Sequence, residues 1–275
     1  MGQWWIGLAG SLLIAGAAYW KKSLSASGLI AAVLLGTALY SVGSLPWYGA
    51  LIAFFVSSSL LSKWKSRRKE NAESGYAKTG RRDAGQVIAN GGLGLLLCVA
   101  HAIWPHPAWW GVYIGVIASV TADTWATEVG GLSRSRPRSI VNGRRVEAGT
   151  SGGVTLLGLG ASAAGGLFIG GIAWLLFQVQ PAAGGVFLAD PYGLYSLLIG
   201  LLGGLAGSLA DSWLGAIVQV MYRCRICGKE LEKSEHCQAA AEPIRGWTFM
   251  TNDAVNALSS AIGGLVGFLL VWFIF

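Results

Sequence analysis

Long apolar runs separated by short polar segments order this chain, and eight of them approach membrane-crossing length: 4–20, 25–41, 46–62, 84–104, 109–127, 152–178, 193–220 and 250–275. About 20 mostly apolar residues span the hydrocarbon core as a helix. The pattern therefore predicts an all-α polytopic membrane protein with about eight transmembrane helices. The second run is short and the seventh long, which leaves a margin of one helix either way. The runs group into an N-terminal three-span unit, 1–62, a basic loop, 63–83, and a five-span unit, 84–275, with a cysteine-containing loop at 221–246.

Charge placement sets the expected topology. All 20 Lys and Arg fall in four segments, 21–22, 63–82, 134–145 and 223–245, while 1–3, 42–45, 105–108 and 179–192 hold none. Eight spans put the four basic segments on one side, which the positive-inside rule assigns to the cytoplasm, with both termini outside. The expected location is a bacterial cytoplasmic membrane. With 53% hydrophobic residues, 12% charged and a mean hydropathy of +0.55, the composition lies outside the soluble range. Forty-one Gly suit close helix packing in lipid, and Trp4, Trp20, Trp104 and Trp110 stand near run ends as in interfacial belts. The net charge of +7 does not point to nucleic acid, because the basic residues are confined to loops between spans. No cleavable signal peptide is expected, since no Lys or Arg precedes the first run, and there is no Arg/Ser-rich transit peptide. Four Cys are too few and too unevenly spaced for a disulfide scaffold.

With that topology, polar groups from five spans reach a similar depth on the basic side. Asp123 lies near the end of span five and Asp211 within span seven. Asn252 and Asp253 open span eight, Asp83, Gln86 and Asn90 open span four, and "EAGTSGGVT" (147–155) opens span six. A carboxylate at the centre of a span costs about 2.5–3.5 kcal/mol on insertion scales, so such groups face a cavity or a partner. The cluster suggests a cation site. Asp83 and Asp253, at helix starts, are equally explained as caps. Glu128 either shares a metal with Asp123 or is solvated, and Thr127 lies on the Asp123 face.

"ASVTADTWATE" aligns with "AGSLADSWLGA" at an offset of 88, matching Ala122-Asp123-Thr124-Trp125 to Ala210-Asp211-Ser212-Trp213. The preceding spans carry matched Gly-rich starts, "ANGGLG" and "TSGGVTLLG". This reads as a tandem hairpin repeat, spans four–five and six–seven, with the two Asp facing across a shared site.

Gly149-Thr150-Ser151-Gly152-Gly153 precedes an apolar helix, where backbone amides bind anions; it lacks the P-loop ending and is otherwise a flexible turn. Arg81, Arg82, Arg136, Arg138, Arg144 and Arg145 flank these segments, and their guanidinium forks match phosphate oxygens, although topology alone also requires them. In "CRICGKELEKSEHC", Cys224, Cys227, His236 and Cys237 form a candidate closed zinc site; a redox CxxC and no site at all are the other readings. Adjacent His236 and Cys237 make a strained ligand pair, which leaves room for a fourth ligand from elsewhere. Cys98 reads as a small core residue.

From about residue 78 onward the chain resembles a family of integral membrane proteins that includes plant phytyl-phosphate kinase and transmembrane protein 19. The resemblance is carried by "GRRDAGQVIANGG", "ADTWATEVG", "RPRSIVNGRRVEAGTSGGVTLLG", "GSLADSWLGA", "YRCRICGKE" and "NDAVNALSS", in this order. It implies a kinase that converts an isoprenoid monophosphate to the diphosphate with a nucleoside triphosphate, CTP or ATP. On this reading Asp123 and Asp211, with Glu128 and Asp253, hold Mg²⁺; Gly149 to Gly153 cradle phosphate; Arg82, Arg138, Arg144 and Arg145 neutralise charge; and Asn90 and Asn252 orient ligands. The alternative is a transporter or flippase of a phosphorylated lipid or anion, for which polar residues should continue through the outer halves of the spans. Neither the lipid nor the oligomeric state follows from the sequence.

Overall fold

The computed structural model describes residues 4–64, 75, 76, 78, 80–180 and 193–274, and among these it contains eight helices. They are α1 (Trp4–Trp20), α2 (Ala26–Gly43), α3 (Leu45–Ser62), α4 (Ala84–Ile103), α5 (Ala108–Gly130), α6 (Leu156–Val179), α7 (Gly193–Ile217) and α8 (Asn252–Ile274). The eight apolar runs are thus eight helices, with ends displaced by a few residues. Much of the basic segment 63–83 falls outside the described residues.

Six of the helices are long and apolar enough to cross a membrane; α1 is shorter and α5 falls outside the set. The reason for α5 is its position. Nearly every residue from Trp110 to Ala122 is buried, because α5 runs through the middle of the bundle against α6, α7 and α8. A helix wrapped by protein need not be apolar on every side, so it can carry Ser119, Thr121 and Asp123 through the core.

Small residues allow these helices to approach closely, since lipid tails supply no hydrophobic force between them. A Cβ at Gly115 would collide with the carbonyl of Gly263 on α8, and one at Gly166 of α6 with that of Gly200 on α7. Serines then bond across the seams: Ser119 Oγ donates to the Ser259 carbonyl at 3.2 Å, and the Ser162 and Ser208 hydroxyls meet at 2.9 Å. Leu35, Leu39, Trp47, Leu51 and Phe54 of α2 and α3 belong to the same buried cluster as Ile117, Ile169 and Ile199, so the N-terminal helices share one core with the rest.

Short strands decorate one end of the bundle. β1 (Arg138–Ser139) pairs antiparallel with β2 (Gly153–Val154), and this pairing corrects the expected start of span six. Residues 152–155 are turn, strand and cap, and α6 begins at Leu156 with Thr155 Oγ1 accepting from the Gly158 amide at 3.0 Å. Beyond α7, β3 (Met221–Arg223) lies between β4 (Glu230–Leu231) and β7 (Glu242–Arg245). A hairpin of β5 (Glu235–His236) and β6 (Ala239–Ala240) projects from that sheet.

The other end is closed by aromatic rings. Trp47, Trp110 and Tyr113 are fully buried, with the Trp47 ring tilted against both others, its centroid 4.3 Å from that of Trp110 and 4.4 Å from that of Tyr113. The Tyr113 hydroxyl donates to the Trp47 carbonyl, and Phe177 of α6 meets Trp110 edge-on.

Candidate functional site: a polar cavity around two aspartates

The strand-bearing end holds a cavity of about 1090 Å³. Asp123 from α5 and Asp211 from α7 both line it. Their helices run in the same direction and pack side by side, which carries the two copies of the Ala-Asp-Thr/Ser-Trp string to one depth. The carboxylates are near enough to interact electrostatically. Asp211 Oδ2 accepts from Ser259 Oγ at 3.0 Å. No described Lys or Arg is ion-paired with either Asp.

The repeat has diverged outside the carboxylates. Trp125 stacks on Phe168 at 5.3 Å and its indole N–H donates to Ser57, whereas its counterpart Trp213 is exposed. One tryptophan locks α5 against α3 and α6, and the other faces outward from the bundle.

Glu128, Arg82, Asn90, Asn252 and Asp253 line the same cavity. Glu128 accepts a short hydrogen bond from Ser62 and attracts Arg82, so it ties α5 to α3 and to the start of α4. Arg82 Nη1 donates to Ser59 at 2.8 Å, and its guanidinium lies 5.7 Å from the Phe55 ring centroid. Burial holds the Arg82 pKa below its ordinary value, only partly offset by Glu128. Arg82 is fixed in place by backbone pairing with the α1–α2 loop, its amide donating to the Ser23 carbonyl at 3.0 Å. Arg82 and Asn90 also border a narrow apolar crevice lined by Ile14, Leu35, Phe54 and Phe55.

The two helix-start carboxylates separate. Asp83 is a true cap: its side chain accepts from the Gln86 amide at 2.9 Å, and Gln86 reaches back to the Asp83 amide. Burial would raise the Asp83 pKa, but the Gln86 amide and the Lys78 ammonium outweigh it and hold the carboxyl below its ordinary value. Asp253 does not cap α8; Thr251 does, accepting from the Ala254 amide. Lys78 instead bridges Asp253 Oδ2 at 2.5 Å and Asp83 Oδ2 at 3.0 Å, which joins the starts of α8 and α4.

Thr150, Ser151, Gly152 and Gly153 line the cavity, and Gly149 lines an adjoining recess of about 410 Å³ that shares Asp123, Thr127 and Thr150. These residues form a turn that runs into β2 at Gly153, not the first turn of a helix, and the Gly153 amide is spent on the Thr150 carbonyl at 3.0 Å. Gly152 has φ +83°, and a Cβ there would strike Ala216 and crowd the Ser212 carbonyl. Glycine is therefore what lets the turn lie against α7 beside Asp211.

Arg138, Arg144 and Arg145 are not brought to the cavity. All three are exposed on the 138–154 hairpin, whose backbone pairing turns them outward; Arg138 Nη1 donates to the Gly143 carbonyl. Arg134 and Arg136 line the recess in their stead. Other cavity residues were not anticipated: Asn256, Gln219, Tyr222, Glu232 and Ser234. Gln219 is buried, accepting from Ser151 Oγ at 3.4 Å. Asn256 follows Asn252 by one turn on the inward face of α8, a signal that helical spacing could have given.

The cysteine loop stands beside this cavity. Ligand atoms of Cys224, Cys227, His236 and Cys237 all lie within 4.8 Å of one another, so the adjacent His–Cys pair does converge and no distant fourth ligand is needed. Hydrogen bonds from the Cys227 amide and from His236 hold the Cys224 thiol down to about 6.

The chain belongs to the integral membrane protein family DUF92, whose model matches residues 9–264. It is 34% identical over 267 residues to Protein PGR of Arabidopsis thaliana, covering 90% of this chain and 89% of the relative. An uncharacterized membrane protein of Methanocaldococcus jannaschii is 29% identical over 252 residues, covering 91% of this chain and 87% of its own length. Protein VTE6, chloroplastic, of Arabidopsis thaliana is 24% identical over 281 residues, covering 98% of this chain and 73% of the relative. No solved structure matches the chain.

Proposed function

We propose that the protein is a membrane kinase that transfers a phosphoryl group from a nucleoside triphosphate, CTP or ATP, to an isoprenoid monophosphate, yielding the diphosphate. The observation that carries this reading is the placing of Asp123 and Asp211 in one polar cavity that Lys and Arg also line, with no described Lys or Arg ion-paired to either aspartate. Two such carboxylates are a hard-oxygen donor set suited to Mg²⁺. When bound there, Mg²⁺ would supply neutralisation of charge on the donor phosphates.

The chain's own residues do the rest by positioning. Lys21, Lys22, Lys63 and Arg82 line the same cavity as the two aspartates and suit phosphate groups of donor and acceptor. Asn90, Asn252 and Asn256 offer hydrogen bonds, and the Thr150–Gly153 turn offers hydroxyls beside Asp211. An oxygen of the acceptor phosphate attacks the terminal phosphorus of the donor as the bond to the bridging oxygen breaks, and the nucleoside diphosphate leaves. The acceptor is already ionised, so no strong general base is required. The crevice of Ile14, Leu35, Phe54 and Phe55, which begins at Arg82 and Asn90, is the apolar surface along which its tail would lie. The family resemblance in the sequence supports the reaction class, and the confinement of Lys and Arg to one side supports a cytoplasmic site.

The transporter reading requires a path to the far side. About 20 Å along α5, at 1.5 Å per residue, separates Asp123 from Trp110. The space there is filled by the Trp47–Trp110–Tyr113 cluster and by glycine-tight seams. This favours the kinase. The test is purified protein with Mg²⁺, labelled CTP or ATP, and phytyl, geranylgeranyl or longer prenyl phosphates. Diphosphate should form, and D123N and D211N should each lower kcat/KM by at least about 100-fold while still eluting as folded protein. No diphosphate from any donor–acceptor pair would sink the proposal.

A further inference from the structure

We infer that the 224–237 loop binds one zinc ion through Cys224, Cys227, His236 and Cys237, and that this ion holds up the wall of the cavity formed by Tyr222, Glu232 and Ser234. The inference stands whether or not the protein is a kinase.

Four observations converge. First, the sulfur and imidazole atoms of all four residues fall within 4.8 Å of one another, although they come from two separate turns. Second, the Cys224–Gly228 turn has the shape of a metal knuckle. Its ends are tied by Cys224 N–H to the Lys229 carbonyl and Gly228 N–H to the Cys224 carbonyl, both 2.9 Å. The amides of Ile226 and Cys227 point at the Cys224 sulfur, and Gly228 takes φ +72°. Third, Cys237 and Gln238 join β5 to β6 as a two-residue loop with φ of +51° and +59°. Such a loop ordinarily uses Asn or Gly, and placing two bulkier side chains there costs free energy. The backbone conformation brings the Cys237 Sγ to 3.2 Å from the His236 Nδ1, which gives the strain a purpose. Fourth, this segment has little else to hold it. Its strands are two to four residues long, and Met221 and Leu231 are its buried large apolar side chains among the described residues. Small units with so little core need a staple.

The donor chemistry selects the ion. Three thiolates and one imidazole suit tetrahedral Zn²⁺, and four protein ligands leave no open position for a substrate or water, so the site is structural. The link to the cavity is covalent: Tyr222 precedes Cys224 by two residues, and Glu232 and Ser234 lie between the two ligand pairs. The Glu232 amide also donates to the Gly75 carbonyl at 2.9 Å, fastening this wall to the segment before α4.

The test uses the full chain purified in detergent without added metal. Elemental analysis should find about one zinc per chain. C224S and C237S should each lose most of it, while C98A, altered inside α4, should keep it. Should the serine variants fail to fold, cobalt exchanged into the wild-type protein should show thiolate-to-metal charge-transfer absorption with tetrahedral ligand-field bands. Stripping zinc with a chelator should open residues 221–245 to protease while the helices stay intact, and re-addition of zinc should restore protection. Zinc well below one equivalent with no cobalt spectrum, zinc retained by both serine variants, or a Cys224–Cys227 disulfide in the purified protein would each overturn the metal site. Full protease resistance of the stripped protein would overturn its role as a wall.

Discussion

Asp123 and Asp211 share a sequence string but not a set of partners. Ser259 Oγ lies 3.0 Å from both Asp211 Oδ2 and the Asn256 carbonyl, and its one proton, given to Asp211, ties α7 to α8. On its own helix Asp123 has Thr124, Thr127 and Glu128 as cavity-lining neighbours. Asp211 is thus oriented by the protein itself, as a proposed Mg²⁺ ligand should be. A hydrogen bond to a charged group contributes roughly 1.5–3 kcal/mol, or about ten- to a hundredfold in an equilibrium constant. S259A should therefore weaken Mg²⁺ activation by roughly tenfold or more, read as the Mg²⁺ concentration for half-maximal rate, with a smaller change in the rate at saturating Mg²⁺. An unchanged Mg²⁺ requirement would remove Ser259 from any role at the cation. The pair of carboxylates was legible in the sequence because a charged residue inside an apolar run is costly and the string occurs twice. Ser259 was not, because a serine in a helix is usually bonded to its own backbone. Arg138, Arg144 and Arg145 misled for a related reason: the number of charges in a loop says nothing about which way a hairpin turns them.

At the scale of elements, the apolar runs located all eight helices to within a few residues, because membrane length and composition leave little freedom. The same rule could not reveal β2, since a two-residue strand has no periodicity, nor could it distinguish central from peripheral helices. Glycine spacing held that information. Gly111 and Gly115 on α5 face Gly267 and Gly263 on α8, so two positions four residues apart on each helix mark a seam. That seam sets the depth at which Asp123 and the Asn252–Asn256 face of α8 meet. G115V forces a branched side chain onto the Gly263 carbonyl. Overpacking costs typically 1–3 kcal/mol, and here the neighbour is backbone that cannot rotate aside. The expected result is a melting temperature in detergent lower by roughly 5–10 °C, given about 2–4 °C per kcal/mol at this size. G16A, at a position with nothing within 4 Å of the added Cβ, should leave it unchanged. Equal effects from the two substitutions would show that the α5–α8 seam does not limit stability.

Across the whole molecule, polarity is segregated by end. Lys21, Lys22, Lys63, Lys78 and Arg82, the paired aspartates, the Thr150–Gly153 turn and the cysteine loop gather at one end, and the Trp47–Trp110–Tyr113 cluster closes the other. On the proposed kinase reading, a soluble, highly charged donor would enter such a cavity from the basic side, whereas an isoprenoid acceptor would arrive laterally by the crevice between α1, α2, α3 and α4. Alternating access would need the aromatic end to open, at the loss of several fully buried rings and the backbone contacts of the glycine seams. The two mechanisms therefore separate in sealed proteoliposomes of known orientation. With nucleotide outside, molecules whose basic end faces outward should make diphosphate, and rupturing the vesicles should add only the share contributed by molecules facing inward. Prenyl phosphate placed in the outer leaflet should cross to the inner leaflet no faster than in protein-free vesicles. Transfer between leaflets that depends on the protein and is lost in D123N would instead place the two aspartates on a transport path, and the tight aromatic end would then have to be one state of a moving gate.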